Sequence, residues 1–492
     1  LALFPVFLPG TKVLHAGENE TLPHPLALPL FLEDSPLQET SFLSEPYKGD
    51  LPQLVEKGVI RVLVSFDRTN FFVKNGAPSG FEYDLIQEYR KYLRKKLPNK
   101  AWPVTFVFIP VHFDQLLPAL ISGFGDIAAA GLTITQDRVR QVSFTDPYIE
   151  DVREVLVTRS DNGTVTSLEG LSGRRVYVNG ATSYAESLKR LNRDLTSRGL
   201  DPVEVVAMER GLSSIDILEL VQIGAIEATV IDEHRAVSWK PAFPDIRIAG
   251  SVALAKGGKI AWAVRKGSPK LLQSLNGALK NLSSGTLIGN LLQKRYFEEA
   301  DLLQNPFGRE ETDRLRQLEP IFRRYAEAYE LDWMLLAALA YQESRLKNNK
   351  RSKKNAVGIM QIRPQTAAAS PISISDLSSS ENNIHAGAKY LAHLRDHYFS
   401  DLRDMPRNQM DFVLASYNAG PTRINNLRRE ADRIGIDPDR WFSAVEDVAR
   451  RRIGIETVQY VVNVQKYFIA YRLAWEKEKA RYLEKVNLEA AP

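Results

Sequence analysis

The feature that most constrains this chain is a change of pattern near Asn305-Pro306. Upstream, β-branched runs alternate with segments of helical spacing. Strand-like runs at 59–65, 104–109 and 126–130 bracket helical segments at 83–97 and 115–122. The alternation then repeats, with strand-like runs at 174–178, 203–206, 228–231 and 260–264 around helical segments at 185–198 and 215–223. Such alternation predicts a mostly parallel sheet. Two blocks of similar size predict a two-lobed α/β module with a ligand cleft at the carboxyl ends of its strands. Downstream only helical periodicity remains, at 312–347, 383–398, 409–417 and 457–484, which predicts an all-α domain. A switch of fold class with Asn-Pro at the seam marks a domain boundary.

The expected organisation is therefore multidomain. Residues 1–50 form a signal-peptide remnant and tether, 51–300 the two-lobed module, 301–312 a linker, 313–475 the helical domain and 476–492 a tail. The remnant is the apolar run Leu1–Leu8, and the Pro- and Leu-rich stretch after it has no period. A chain of 492 residues has length for several cores. A net charge of +4 without a basic stripe argues against nucleic acid. The absence of cysteine excludes disulfides, thiolate metal sites and a lipid-bearing cysteine in this sequence. No apolar stretch reaches the roughly 18–20 residues of a membrane-spanning helix. The seven histidines are scattered, and neither a zinc-type H-E-x-x-H nor a phosphate loop occurs, so no metal or cofactor is expected.

In the two-lobed module, a strand-end Thr followed by an Arg suits a carboxylate, with a hydroxyl and a forked guanidinium. The stretches Gly80–Leu85, Gly125–Arg138 and Val142–Tyr148 together resemble the amino-acid-binding periplasmic solute-binding proteins, over about residues 58–298. The resemblance implies that Thr133, Arg138 and Thr182 hold a ligand carboxylate and that Asp232 meets its ammonium group. Read alone, Arg138 could be a solvated helix-start residue and Asp232 an N-cap. The family's group just after its first strand has no clear counterpart in Ser65–Thr69. A free amino acid and a cell-wall peptide both remain possible ligands.

In the helical domain, Asp332 can cap a helix beginning at Trp333. Leu335, Leu339 and Glu343 share one face of it, so Glu343 ends an apolar stripe. A desolvated carboxyl there holds its proton near neutrality and can donate it to a glycosidic oxygen. A lone Glu near a helix end is more often simply exposed. Four ordered motifs reverse that judgement: Gln342-Glu-Ser344, Gly358-Ile-Met-Gln361, Ala415–Gly420 and Glu456–Val461. Together they resemble the lysozyme-like soluble lytic transglycosylase domain, over about residues 312–475. The resemblance implies Glu343 as acid and then base, with Ser344, Gly358, Met360, Gln361, Tyr417, Asn418 and Tyr460 around the sugar. It supplies no second carboxylate, although Asp376, Glu381, Asp447 and Glu456 are candidates in sequence.

The whole reading is a lytic transglycosylase that acts on peptidoglycan glycan strands, with a ligand-sensing N-terminal module. It implies cleavage of the MurNAc-GlcNAc β-1,4 bond to 1,6-anhydromuramic ends, in the periplasm, with peripheral attachment to the outer membrane. The alternatives are a solute-binding sensor whose helical domain only grips glycan, and a hydrolytic muramidase.

Overall fold

The computed structural model describes residues 46–74, 77–97, 104–208, 212–298 and 309–489. The Leu1–Leu8 run, the tether up to residue 45 and the Asn305-Pro306 seam lie outside them. The first lobe is built on β1 (Val59–Val64), the helix α1 (Phe81–Lys96), β2 (Thr105–Pro110) and β3 (Ile127–Thr133). A long strand, β4 (Ile149–Arg159), leads to the second lobe, made of β5 (Arg175–Val178), α2 (Ser183–Ser197), β6 (Glu204–Ala207), α3 (Ser214–Gln222), β7 (Ala228–Asp232) and α4 (Glu233–Trp239). The longest strand, β8 (Ile246–Val264), returns to the first lobe.

Within each lobe the sheet is parallel, with β1 beside β2 and β3, and β5 beside β6 and β7. β1 and β2 are buried along their whole length, as strands covered on both faces must be. Arg61 breaks the apolar run of β1, but it is held at 2.9 Å by the equally buried Asp126.

The two lobes are not separate sheets but share one, parallel within each lobe and antiparallel where it crosses between them. These eight strands lie in one nine-stranded sheet in the order β2-β1-β3-β8-β4-β7-β5-β6, with the short strand Ser143–Phe144 pairing on β8. β4 and β8 pair antiparallel from Ile246 opposite Arg159 to Ile260 opposite Ile149, with repeated register shifts between Ala249 and Ile260. This ribbon runs through both lobes. Its strand signal is hidden in sequence by Glu150, Asp151, Arg153 and Glu154 on one side and by Gly257-Gly258 on the other.

The last five residues assigned to the tether also belong to the first lobe. Tyr47 N donates to Gly123 O at 2.8 Å, and Asp50 caps the helix Leu51–Lys57.

The helical domain begins with Arg309–Ala328, inside the expected linker. It continues through α5 (Trp333–Ser344), α6 (Ser380–His393), α7 (Pro406–Ala419), α8 (Glu446–Ile453) and α9 (Ile455–Glu489). α9 carries on through most of the expected tail. Asp332 caps α5, accepting from Met334 N at 2.8 Å. The expected stripe on α5 is an underestimate, because every residue from Met334 to Tyr341 is buried. A helix apolar all round is the centre of a core, and α5 is wrapped by its neighbours.

Candidate active site and ligand cleft

Glu343 lies at the carboxyl end of the buried helix α5, one turn beyond Leu339. Tyr460, near the start of α9, donates its hydroxyl to Glu343 Oε1 at 2.6 Å. Burial pushes the Glu343 carboxyl up to about 7, against the Tyr460 hydrogen bond and the nearby Lys350 ammonium, which both pull it down. Lys350 Nζ itself binds the backbone carbonyl of Glu343 at 3.0 Å. Burial holds the Tyr460 phenol well above its ordinary value, so it stays a donor. The site therefore presents a carboxyl that is largely protonated just below neutrality and loses its proton just above it. Such a group can serve as acid and then as base.

A pH–rate profile checks this arrangement. The wild-type rate should fall on an alkaline limb near pH 7. Tyr460→Phe removes a bond that favours the carboxylate, so the limb should move to higher pH. A limb that stays put or moves down would show that Tyr460 does not tune Glu343.

The surrounding motif residues divide into those at the site and those beneath it. Ser344 does not orient the Glu343 carboxyl. Its hydroxyl donates to Ile359 O at 2.7 Å and accepts from Lys347 N at 3.1 Å, pinning the helix end to the second motif. Gly358 has φ of +79°, and a Cβ there would lie 2.2 Å from Asn383 Nδ2, so the close approach is to a buried amide and not to sugar. Asn383 in turn accepts from Met360 N at 2.8 Å and donates to Val357 O at 3.0 Å. Met360 is fully buried and packs against Gly387, which corrects its expected place on a sugar face. Gln361 turns its amide onto Gly358 O at 2.8 Å and Lys350 O at 3.0 Å. Tyr417 donates to Met360 O at 2.8 Å. Asn418 is exposed beside them, accepting from Thr457 Oγ1 at 2.8 Å. Tyr460 is thus brought onto Glu343, and Asn418 shares a cavity wall with Tyr460, while Ser344, Gly358 and Met360 belong to the buried framework of the second motif.

Three of the four other candidate carboxylates are committed elsewhere. Asp376 receives Ser378 N and Asn382 Nδ2, and Glu381 pairs with Arg324 and Tyr325. Asp447 is buried against Arg450 at 3.1 Å. Glu456 is exposed one turn before Tyr460. Among the described residues no cluster of His, Asp and Glu could hold a metal ion.

In the two-lobed module, three of the four residues expected to hold a ligand sit at the carboxyl ends of parallel strands, and Arg138 lies in the short helix Gln136–Gln141. Thr133 ends β3, Thr182 follows β5, and Asp232 ends β7. Arg138 is not a solvated helix-start residue. It is 6 % exposed, and its guanidinium reaches Thr133 O in its own lobe and Ala181 O across the cleft, both at 2.9 Å. Ser183 Oγ donates to Thr133 Oγ1 at 3.2 Å, again across the cleft. Thr182 turns its hydroxyl onto Asn179 O at 2.7 Å. Asp232 precedes α4 without capping it through its side chain. Its Oδ1 is buried with no hydrogen-bond partner, and burial raises the carboxyl to about 6 despite Arg235.

Two residues that sequence reasoning passed over complete the cleft. Asp67 receives Arg235 from the second lobe, and Arg68 reaches Glu219 Oε2 at 2.5 Å and Asp216 Oδ1 at 3.2 Å. They lie in the segment after β1 where the family correspondence is unclear. Only their strand-end position and opposite charges signalled them.

The helical domain docks on both lobes. Lys466 of α9, 1 % exposed, joins Arg68's partners, reaching Glu219 Oε2 at 3.0 Å and Asp216 Oδ1 at 3.2 Å. Ile469 and Ala470 of the same helix enter the second lobe's apolar core. On the first lobe, His112 Nε2 meets Glu446 Oε1 at 2.6 Å, and Arg450 Nη1 donates to Pro110 O at 3.0 Å. The cleft consequently opens into a cavity of about 830 Å³ that extends to Gln342, Asn418 and Tyr460 of the helical domain.

Comparison with known proteins agrees with this division. Residues 60–299 match the model of the bacterial extracellular solute-binding proteins, family 3, and residues 320–438 that of the transglycosylase SLT domain. The SLT match ends before Tyr460. Among solved structures, an ancestral arginine-binding protein bound to arginine is 28% identical with a TM-score of 0.41, covering 49% of this chain and 98% of that one. A membrane-bound lytic murein transglycosylase F of Pseudomonas putida strain GB-1 is 29% identical over 441 residues, 85% of this chain and 86% of the relative. Its counterpart in Desulfosudis oleivorans is 31% identical over 438 residues, 88% of this chain and 89% of the relative. With that likeness along nearly its whole length, the chain belongs to the membrane-bound lytic murein transglycosylase F family, lyases acting on peptidoglycan.

Proposed function

We propose that Glu343 is the single acid and base of a non-hydrolytic cleavage of the MurNAc-GlcNAc β-1,4 bond. The observation that carries this reading is a half-buried carboxyl with its pKa at about 7, beside a permanent donor, Tyr460. The usual two-carboxylate scheme needs a second carboxylate at the scissile bond. Asp376, Glu381 and Asp447 are held by other partners, and Glu456 stands exposed one turn before Tyr460, whose hydroxyl is on Glu343. In the proposed path Glu343 gives its proton to the glycosidic oxygen as the bond to the anomeric carbon breaks. The substrate's own N-acetyl oxygen bonds that carbon. Glu343, now a carboxylate, takes the proton of the sugar's 6-hydroxyl, and O6 displaces the N-acetyl oxygen to close the 1,6-anhydro ring. The proton returns to where it began. Asn418, Gln361 and Tyr417 supply polar groups along the sugar, and Ser344, Gly358 and Met360 hold the second motif in place.

The reading puts the chain in the periplasm, where its substrate is, with peripheral attachment to the outer membrane. The relatives' name calls them membrane-bound. No helix among the described residues is long and apolar enough to cross a membrane. The N-terminal module senses an amino acid or wall peptide through Thr133, Arg138, Thr182 and Asp232, and its occupancy alters access to Glu343. Support for that coupling comes from the buried contacts of α8 and α9 with both lobes.

Mass spectrometry of products from purified protein and bacterial sacculi tests the chemistry. Anhydromuramic ends are expected. Reducing ends would mean a hydrolase, and intact but bound sacculi a glycan-gripping sensor. Adding the peptides released from sacculi by an amidase tests the coupling, and an unchanged cleavage rate would count against it.

A further inference from the structure

The loop that follows Glu343 carries charge of one sign. Between Ser344 and Ser375 the sequence has seven arginines or lysines and no aspartate or glutamate, whereas the net charge of all 492 residues is +4. The run is fastened to the end of α5. The chain leaves that helix through two residues in the left-handed region, Arg345 at φ +55° and Leu346 at φ +61°, and turns back. Lys350 returns its ammonium to Glu343 O at 3.0 Å, while its own carbonyl receives Gly358 N at 2.9 Å and Gln361 Nε2 at 3.0 Å. Arg351 and Val357 form a β-bridge, and Ser352 closes the turn between them, its hydroxyl accepting from Lys354 N at 3.2 Å and Ala356 N at 3.0 Å. Lys353 and Lys354 stand in that turn, three and four residues beyond Lys350, so their Cα atoms lie within roughly 11–14 Å of its own. A run of like charge is usually just solvated. Two observations argue for a partner here. Lys347, Arg351, Lys353 and Lys354 are exposed, and among the described residues none of their side chains has an acidic partner. Lys350 also works against the proton on Glu343, since its ammonium pulls down a carboxyl that burial pushes up. An anion beside Lys350 would offset that pull.

We infer that this loop is a docking rim for the carboxylates on the glycan strand being cut. The N-acetylated sugars of a peptide-bearing strand are neutral, so its carboxylates lie on the peptides. Ammonium and guanidinium groups pair with carboxylates through charge-assisted hydrogen bonds. Each such pair is weak on an open surface. The effect comes from the summed field of several cations, which raises the local concentration of an anionic substrate and its rate of arrival. The partner is the substrate and not a lipid surface, because the cations are fastened to the carbonyl of Glu343, where the strand must lie. The inference rests on the transglycosylase reading and adds to it a means of selecting strands by charge. The rim is separate from the two-lobed cleft, since none of residues 344–357 lines the cavity into which that cleft opens.

The test compares kcat/KM of the full-length protein on peptide-bearing glycan strands with that on the same strands after carbodiimide coupling has turned their carboxylates into neutral amides. At about 0.01 M salt, where charges act over roughly 30 Å, the native strands should be favoured by at least about tenfold. Near 1 M salt, where the reach is roughly 3 Å, the two should converge. Arg351→Gln combined with Lys353→Gln and Lys354→Gln should lose the low-salt preference, and Lys353→Arg with Lys354→Arg should keep it. The alkaline limb of the wild type should lie at higher pH on native strands than on amidated ones, because a docked carboxylate offsets Lys350. A wild-type ratio near one at low salt, or a preference that survives in the triple variant, would overturn the inference. So would a triple variant that cuts strands as the wild type does but no longer co-sediments with phosphatidylglycerol vesicles, which would make the loop a membrane contact. Reducing ends in place of anhydromuramic ends would end the non-hydrolytic reading alone, since the preference for native strands is measured on either product.

Discussion

Glu343→Gln is expected to lower the rate of glycan cleavage by about 10²–10⁴-fold while leaving sacculus binding intact. The size of the loss follows from what the side chain does. An amide cannot give a proton to the glycosidic oxygen, nor take one from the 6-hydroxyl, so both halves of the proposed path lose their proton carrier. The isosteric amide keeps the shape of the site, and its oxygen can still accept from Tyr460 Oη, now at 2.6 Å from Glu343 Oε1. The buried α5 therefore has no reason to move. Co-sedimentation with sacculi and mass spectrometry of products read the two properties separately. A variant that keeps more than about a tenth of the wild-type rate would sink the assignment of Glu343, since a general acid contributes at least about a hundredfold. Loss of binding together with activity would place Glu343 in substrate grip.

How far the site could be read in advance depended on whether its signals were local. Asp332, the apolar run of α5 and Glu343 lie within one helix, and period and capping rules reach them directly. The strand ends bearing Thr133, Thr182 and Asp232 were legible for the same reason. Tyr460 came from the ordered motifs, and its bond to Glu343 spans 117 residues, beyond any local rule. Ser344 and Met360 show the converse. Motif membership suggested contact with sugar, yet both side chains are buried beneath the site, because the same positions must fix the Gly358–Gln361 turn. The β4–β8 ribbon was missed because a strand pair crossing between lobes is partly wet and tolerates charge and glycine. The docking of the helical domain left no readable trace. Lys466 stands among ordinary helical residues, and only its partners at Asp216 and Glu219, about 250 residues away, give it a role.

That docking contact carries the second large effect. Lys466→Met is expected to destabilise the protein by about 3–5 kcal/mol, the range for removing one partner from a buried ion cluster. Glu219 is fully buried and Asp216 nearly so, and without Lys466 both carboxylates would share the single guanidinium of Arg68. Burial works to raise Asp216, but Lys466 and Arg68 pull it down to about 2. Its folded pKa thus lies below the ordinary carboxylate value, so it stabilises the fold at neutral pH, and that contribution is lost as pH falls from the ordinary carboxylate value through about 2. Removing Lys466 weakens the pull, so the variant should lose stability at neutral pH and show a less steep loss towards acid. Denaturant unfolding reads the first effect and its pH dependence the second. Lys466→Met combined with Glu219→Gln should recover a substantial part of the loss, because the stranded charge is gone. If the double variant is no more stable than the single one, the loss lies in helix packing and not in charge. Activity should fall as well, since Lys466 and Tyr460 are six residues apart on α9, about 9 Å along its axis. A helix freed from Glu219 no longer fixes Tyr460 against Glu343, and kcat should drop further than KM rises.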